Sequence, residues 1–386
     1  MACLSLLFLA SCEDEPDVTP TTPKRTVLVY IAADNNLTRF ALEDMDEMKE
    51  GMRQMNGELK LLVYVDTGTS ARLVELKKEN GNVVENVVRE YGDRNSAGTE
   101  ETREVFNDVF SNPSFAAESY GLVYWSHADG WVPFGSSRQT RWIGQDEGDG
   151  DNRMNISDFV SILEEAPHFS FIMFDACFMS SVEVAYELRR YTDYYIGSPT
   201  ENPGPGAPYD LITPLMANDN AAVDMASVYF KHYEEKYNGG IGISNSNWTG
   251  GTSICVMRTS ALEQLASATS QVLPEDGVDS EALTNLVFDY DKRPRSSSSY
   301  IGYFDFKQLM QNVADEASFA VWEQAFEAAI AYWNTTDKNY SQVADMFSME
   351  GTNGITHYIP NGNETRATAY RSTSWYQDAG LAKLGW

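Results

Sequence analysis

Four unbroken apolar, β-branched runs constrain the fold of this chain more than any other feature: residues 26–33 (TVLVYIAA), 59–65 (LKLLVYV), 119–126 (SYGLVYWS) and 169–174 (FSFIMF). A strand with one wet face alternates apolar and polar residues. A run without alternation needs cover on both faces, as in a parallel sheet sandwiched between helices. The intervening segments supply that cover. Residues 37–55 carry apolar side chains at Leu37, Phe40, Ala41, Met45, Met48 and Met52, a helical spacing. Residues 99–110 and 154–166 predict two further crossover helices. Residues 71–91, with Asn80-Gly81-Asn82 at their centre, predict a β-hairpin added at the sheet edge.

Beyond the fourth run, 182–188 reads as helix, 194–197 as a short fifth strand, and 201–209 (ENPGPGAPY) as a rigid Pro/Gly loop. Helices are expected at 221–237, 261–272, 304–314 and 317–333, and strands at 253–257 and 355–359. Residues 128–153 are rich in Gly, Asp, Ser and Arg and read as one long surface loop. The expected fold class is therefore α/β, a mainly parallel central sheet between helical layers.

The N-terminus predicts processing rather than fold. Residues 4–9 are a short apolar run ending in Leu9-Ala10-Ser11-Cys12, which resembles a bacterial lipobox; the run is too short to span a bilayer. The expected organisation is a signal peptide over 1–11, lipidation at Cys12, a tether over 12–23, a core over 24–260 and a C-terminal α/β extension over 261–386. A cleaved secretory peptide with an incidental cysteine is the alternative. The expected location is the cell envelope, with membrane contact only through the Cys12 lipid. The chain carries 57 acidic and 28 basic residues, a formal charge of -29, which would repel nucleic acid and anionic membranes. A monomer is expected.

Of four cysteines, Cys3 and Cys12 belong to the leader, leaving Cys177 and Cys255 in the body, too few for a disulfide framework. Cys255 sits inside ICVM and reads as core. Cys177 differs: it follows the fourth strand, as His127 follows the third, and in an open parallel sheet ligands bind at that strand edge. Neighbouring strands lie about 4.8 Å apart, so both side chains can reach one centre. A thiol needs activation. An imidazole supplies it, and the N-terminus of a helix expected to start directly after Cys177 would add to it. Backbone N–H groups of Cys177 and of the His127 loop, at Ala128, would stabilise an oxyanion.

The segments TVLVYIAADNNL, YWSHADGW, FIMFDACFMSSVEVAYEL and PTENPGPGAPYDL resemble the clostripain family of cysteine peptidases, in the clan of caspases, gingipains and legumains. The resemblance implies a caspase-like α/β/α sandwich, thiol endopeptidase activity through a thioester, and His127 and Cys177 as the dyad. It further implies cleavage after Arg or Lys, with Asp175, Glu201 and Asp210 binding substrate, and self-cleavage between His127 and Cys177, where Arg138, Arg141 and Arg153 lie. Two positions depart from the family pattern. Ala128 replaces the usual Gly, and Pro205 and Ala207 stand in the loop where relatives sometimes place an acid for a basic substrate residue. A fold retained for peptide binding without catalysis is the competing reading, and a thiol acyltransferase is a third. Asp175 could instead cap the helix after Cys177.

No HExxH, GxSxG or GxGxxG pattern occurs, and His168, His232 and His357 read as structural. No cofactor or metal is expected. Asp146, Glu147, Asp149 and Asp151 form an acidic cluster that could hold calcium, as some relatives do, although the spacing is not an EF-hand.

Overall fold

The computed structural model describes residues 22–55, 57–131, 142–148 and 150–386. In chain order the strands are β1 (Arg25–Ala32), β2 (Leu59–Asp66), β3 (Ala71–Glu79), β4 (Asn82–Gly92), β5 (Ser119–Trp125), β6 (Ile143–Asp146), β7 (Asn152–Met154), β8 (Phe171–Asp175), β9 (Tyr194–Gly197), β10 (Ser253–Arg258), β11 (Phe304–Asp305), β12 (Ile330–Thr335), β13 (Lys338–Ser341), β14 (Asp345–Ser348) and β15 (Thr356–His357). The helices are α1 (Thr38–Arg53), α2 (Thr99–Phe110), α3 (Ile156–Leu163), α4 (Val182–Leu188), α5 (Tyr209–Ile212), α6 (Ala221–Lys236), α7 (Leu262–Val272), α8 (Ser280–Leu286), α9 (Phe306–Val313), α10 (Glu316–Ala329), α11 (Glu364–Arg371) and α12 (Ser374–Asp378).

One nine-stranded sheet, in the order β12-β10-β9-β8-β5-β1-β2-β3-β4, organises the molecule. The five strands β9, β8, β5, β1 and β2 run parallel, and antiparallel strands flank them on both sides. The apolar runs are the parallel strands, and all eight residues of β1 are buried. Alternate side chains feed two separate layers. Val27, Val29 and Ile31 join Met45, Met48 and Met52 of α1 and Met225 and Tyr229 of α6. Leu28, Tyr30 and Ala32 join Phe106 of α2, Phe159 of α3 and Trp322 of α10. Truncating a side chain as enclosed as Ile31 to Ala typically costs about 2–5 kcal/mol.

Register adds an aromatic ladder. Tyr30 pairs with Tyr64 on one neighbouring strand and Tyr124 on the other, and the rings stack with centroids 4.4 Å and 5.2 Å apart. Such stacks contribute about 0.5–1.5 kcal/mol each beyond burial, and they lock β2, β1 and β5 level with one another. The Tyr30 hydroxyl donates to the Ser96 carbonyl at 2.8 Å, so its polar tip is satisfied.

Two of the departures from sequence expectation reshape the strands. Residues 143–154 are not loop: β6 and β7 pair as an antiparallel hairpin. The helix expected over 317–333 stops at Ala329, and Ile330–Thr335 forms β12, because β10 offers that segment an open ladder to join. Residues after 260 thus supply the last strand of the main sheet as well as helices packed on it.

Candidate active site

The strands that carry the candidate dyad are immediate neighbours. Trp125 of β5 pairs with Asp175 of β8 at the end of their ladder, so the next turn of chain on each strand brings His127 and Cys177 to the same level. Both line one cleft of about 350 Å³, together with Asp175, Glu201, Asn202 and Arg293.

Cys177 is half-buried. Withdrawal from water, followed by the Glu201 carboxylate, pushes its thiol up to about 12. The Asn202 N–H, which donates to Sγ at 3.3 Å, works in the opposite direction. The following residue, Phe178, sits at φ 58°, in the left-handed region that a non-glycine residue enters only under constraint. Its N–H is fixed on the Thr200 carbonyl at 3.0 Å and its ring stacks on Tyr303 at 4.9 Å. This sharp turn lifts the thiol out of the sheet. It also delays the helix: α4 begins only at Val182, capped by the Ser181 hydroxyl, so its N-terminus does not sit at the thiol as the sequence led us to expect. Among the described residues the N–H groups of Cys177 and Ala128 carry no hydrogen bond to protein, which leaves both available to a developing oxyanion.

His127 is pushed down to about 4 by burial and then by the positive charge of Arg153. Its Nε2 lies 2.7 Å from Asn36 Oδ1. That oxygen can only accept, so the proton is assigned to Nε2 and the basic nitrogen is Nδ1. Asn36 follows β1, the strand beside β5, and was not singled out from sequence. The available signal was its place at the same sheet edge, inside the motif YIAADNNL. The His127 loop is braced by the β6 hairpin, with Gly144 N–H donating to the His127 carbonyl at 3.0 Å and Asp129 N–H donating to the Trp142 carbonyl at 2.9 Å.

Asp175 is buried, and it caps no helix. Its Oδ1 accepts from Asn202 Nδ2 at 2.9 Å, and its Oδ2 from the Ala207 N–H at 2.9 Å and the Tyr209 hydroxyl at 3.1 Å. Burial raises its pKa, against those three hydrogen bonds. Glu201 reaches the cleft rim, but its carboxylate is occupied by the Ser341 hydroxyl at 2.7 Å and the Gln342 N–H at 3.0 Å. Asp210 lies on α5, outside the cleft lining; Tyr209, beside it, instead donates its N–H to Glu47 at 3.0 Å.

The acidic cluster is occupied by protein donors. Asp146 accepts from Ser96 N–H and hydroxyl at 2.6 Å and 2.9 Å, and Asp151 pairs with Arg153 at 2.8 Å, while Asp149 lies outside the described residues. Among the described residues no group of three or more His, Cys, Asp or Glu is arranged to hold a metal ion. Cys255 is fully buried in β10. His168 pairs with Asp193, His232 contacts Lys236, and His357 is enclosed with both ring nitrogens engaged.

The C-terminal third, left without a task by the sequence, closes the cleft. Arg293 clamps Asp129, next to Ala128, through a bidentate pair at 2.8 Å and 3.0 Å, and its guanidinium lies 5.2 Å over Phe178.

The model of the clostripain family, peptidase class C11, matches residues 29–384. The chain belongs to the clostripain family of cysteine peptidases. Clostripain from Hathewaya histolytica is 22% identical, over 94% of this chain and 81% of its own. A secreted C11 cysteine protease from Bacteroides thetaiotaomicron, solved in complex with an irreversible peptide inhibitor, is 42% identical with a TM-score of 0.84, covering 93% of this chain and 99% of that one. An inactive zymogen C11 protease from Parabacteroides distasonis is 29% identical with a TM-score of 0.75, covering 94% and 99%. The peptidase has the caspase-like α/β/α architecture of these relatives. Among its described residues no helix is long and apolar enough to cross a membrane; Cys12 and the leader lie outside them.

Proposed function

We propose that this peptidase is an endopeptidase working through a Cys177–His127 dyad and a thioester intermediate. The observation that carries the reading is the register of β5 and β8, which ends in Trp125 opposite Asp175 and so delivers imidazole and thiol to one cleft. At neutral pH both partners rest uncharged, since the thiol is held high and the imidazole low. Proton transfer from Sγ to His127 is therefore coupled to attack on the scissile carbonyl carbon rather than completed before it. The tetrahedral oxyanion is received by the N–H groups of Cys177 and Ala128. As it collapses, His127 gives its proton to the leaving amine and the acyl group stays on Sγ. Water, deprotonated by His127, then releases the acid product and restores the thiol. Asn36 holds the imidazole in the tautomer this cycle needs.

A preference for Arg or Lys in the residue N-terminal to the scissile bond is supported by Asp175 at the cleft floor. Self-processing is proposed after Arg138 or Arg141. Arg153 is a poorer site, since it is held in β7 with its guanidinium 4.2 Å over Trp142. Export with acylation at Cys12 completes the reading, and mass spectrometry of the mature N-terminus tests it.

The deciding experiment labels the protein with peptidyl acyloxymethyl ketones bearing Lys, Arg, Asp or Asn at the reactive residue and maps the adduct. Label on Cys177 that vanishes in His127→Ala is expected. Failure of every probe to label wild type, after deliberate cutting of the loop between the two residues, would refute catalysis in favour of a binding role. Identical fragments from wild type and Cys177→Ala would exclude self-cleavage.

A further inference from the structure

A second hollow, of about 780 Å³, opens off the catalytic cleft and shares Leu37, His127, Glu201, Asn202, Gly204 and Gln342 with it. Its further apolar walls are Phe40 of α1, Ile243 and Trp248 between α6 and β10, and Tyr340 of β13, none of which lies in the segments that resemble the family. Leu37, Phe40, Ile243 and Tyr340 are half-buried, packed on the core layer that holds α1 and α6. The walls are fixed. Trp248, 8% exposed, donates Nε1 to the Gly251 carbonyl at 2.8 Å and meets the Tyr340 ring edge to face at 5.6 Å. The Tyr340 N–H donates to the Gly250 carbonyl at 2.9 Å. Two glycines let these segments close on one another: a Cβ on Gly204 would stand 2.6 Å from Asn245 Oδ1, and one on Gly250 would stand 2.8 Å from Tyr340 Cβ. In a chain with 57 acidic residues, Glu201 is the sole carboxylate among the described residues lining the hollow, and Ser341 and Gln342 already engage it.

The position of the hollow says which part of a substrate would reach it. The loop that walls it also holds Asp175 at the cleft floor, through Asn202 and Ala207. Ala128, Asp129, Phe178 and Arg293 line the cleft but not the hollow. The hollow therefore adjoins the acyl half of a bound peptide. Side chains of an extended peptide alternate in direction, so when one enters the cleft toward Asp175 the one before it points away from that floor. We propose that the hollow is the subsite for the second residue before the scissile bond, and that it selects a large apolar side chain, aromatic or branched. Such a side chain covers apolar wall that otherwise faces water, whereas a carboxylate there would lose its hydration beside Glu201. This rests on the reading of the cleft as the peptidase site.

The test measures kcat/KM on internally quenched peptides that share, before the scissile bond, the residue whose ketone labels Cys177 best, and that carry Phe, Leu, Ala or Asp one position earlier. A matched set keeps Ala there and places Phe, Leu or Asp directly after the scissile bond. Wild type should favour Phe and Leu over Ala by about 10- to 100-fold at the earlier position, and should cleave the Asp peptide worst. Phe40→Ala, which removes a wall, should lower the Phe:Ala ratio by about 10-fold. Ile243→Glu, which sets a charge in the wall on a surface segment, should lower the Leu:Ala ratio by at least as much. A flat ranking from a wild type that cleaves and labels at Cys177 overturns the subsite alone. So does an apolar preference confined to the position after the bond, or ratios unchanged in the folded variants. Failure of both variants to fold counts against it equally, since those side chains would then belong to the core. A wild type that neither cleaves nor labels at Cys177 defeats the peptidase reading with it.

Discussion

Replacing Arg293 with Met removes a guanidinium that joins the C-terminal third to the His127 loop. It donates Nη1 and Nη2 to Asp129 at 2.8 Å and 3.0 Å, and Nε and Nη2 to Asp291 at 2.6 Å and 2.9 Å. Asp291 is fully buried at its side chain, while Arg293 and Asp129 keep 16% and 19% exposure. Stranding buried carboxylates costs about 3–5 kcal/mol. Residual solvent and the Tyr303 hydroxyl at Asp129, and the Ile301 and Gly302 N–H groups that also serve Asp291, place this case at the low end, about 3 kcal/mol. With an unfolding entropy of about 2.1 cal/mol/K per residue, that corresponds to a fall in Tm of about 4 °C. Arg293→Lys keeps one charge without the fork and should lose about half as much. Calorimetry on the single variants, Asp129→Asn and the double variant should give a coupling energy of about 1.5–3 kcal/mol, and kcat/KM should fall in parallel because Asp129 adjoins Ala128. A Met variant that melts within a degree of wild type, or a cycle without coupling, would refute the idea that the C-terminal third braces the catalytic loop.

Asn36→Ala should lower kcat by about 10-fold while KM changes little, as expected for loss of a hydrogen bond to a group charged during turnover; an equal loss carried by KM would contradict the orienting role. The acid limb of kcat/KM should lie near pH 4, where His127 is held, and Arg153→Gln should move it upward; a limb that already sits near 6.5 in wild type argues against the imidazole as base. His127 and His357 are both held low, at about 4 and about 3. The unfolded chain therefore binds their protons more tightly, and stability should decline as pH falls from about 6.5 through those values, which denaturant titrations at pH 7, 5 and 4 would register. Iodoacetamide should modify Cys177 and spare Cys255 in the native protein, with Cys255 reacting only after denaturation; early Cys255 labelling would mean that β10 opens far more readily than its burial implies.

The parallel strands and their crossover helices were legible because complete burial on two faces imposes an apolar run, and nothing else in a soluble chain does. That His127 and Cys177 lie at neighbouring strand tips beside one cleft was legible for the same reason, since position at a strand tip follows from where the run stops. What escaped were features set by partners distant in sequence. β12 reads as the end of a helix because Ala329 and Trp333 keep the helical period, and only the open ladder of β10 decides otherwise. Asp44 reads as a surface acid among Glu43, Asp46 and Glu47, yet it is buried because it faces the loop at Gly206. The helix expected at Cys177 was displaced by the left-handed turn at Phe178, which no local propensity announces. It is held in place by Thr200 and Tyr303.

The order of strands across the sheet carries a consequence for how the molecule comes into being. The cleft draws on Asn36, His127, Cys177, Glu201, Arg293 and Gln342, spread over most of the polypeptide, and its rim closes only when Ser341 and Gln342 reach Glu201. A chain emerging N-terminus first holds Cys177 long before it holds Arg293 and the rim, and contacts so far apart in sequence form late. A half-made molecule therefore carries the Cys177 thiol without a completed cleft. Topology alone postpones assembly of the cleft until synthesis is nearly finished.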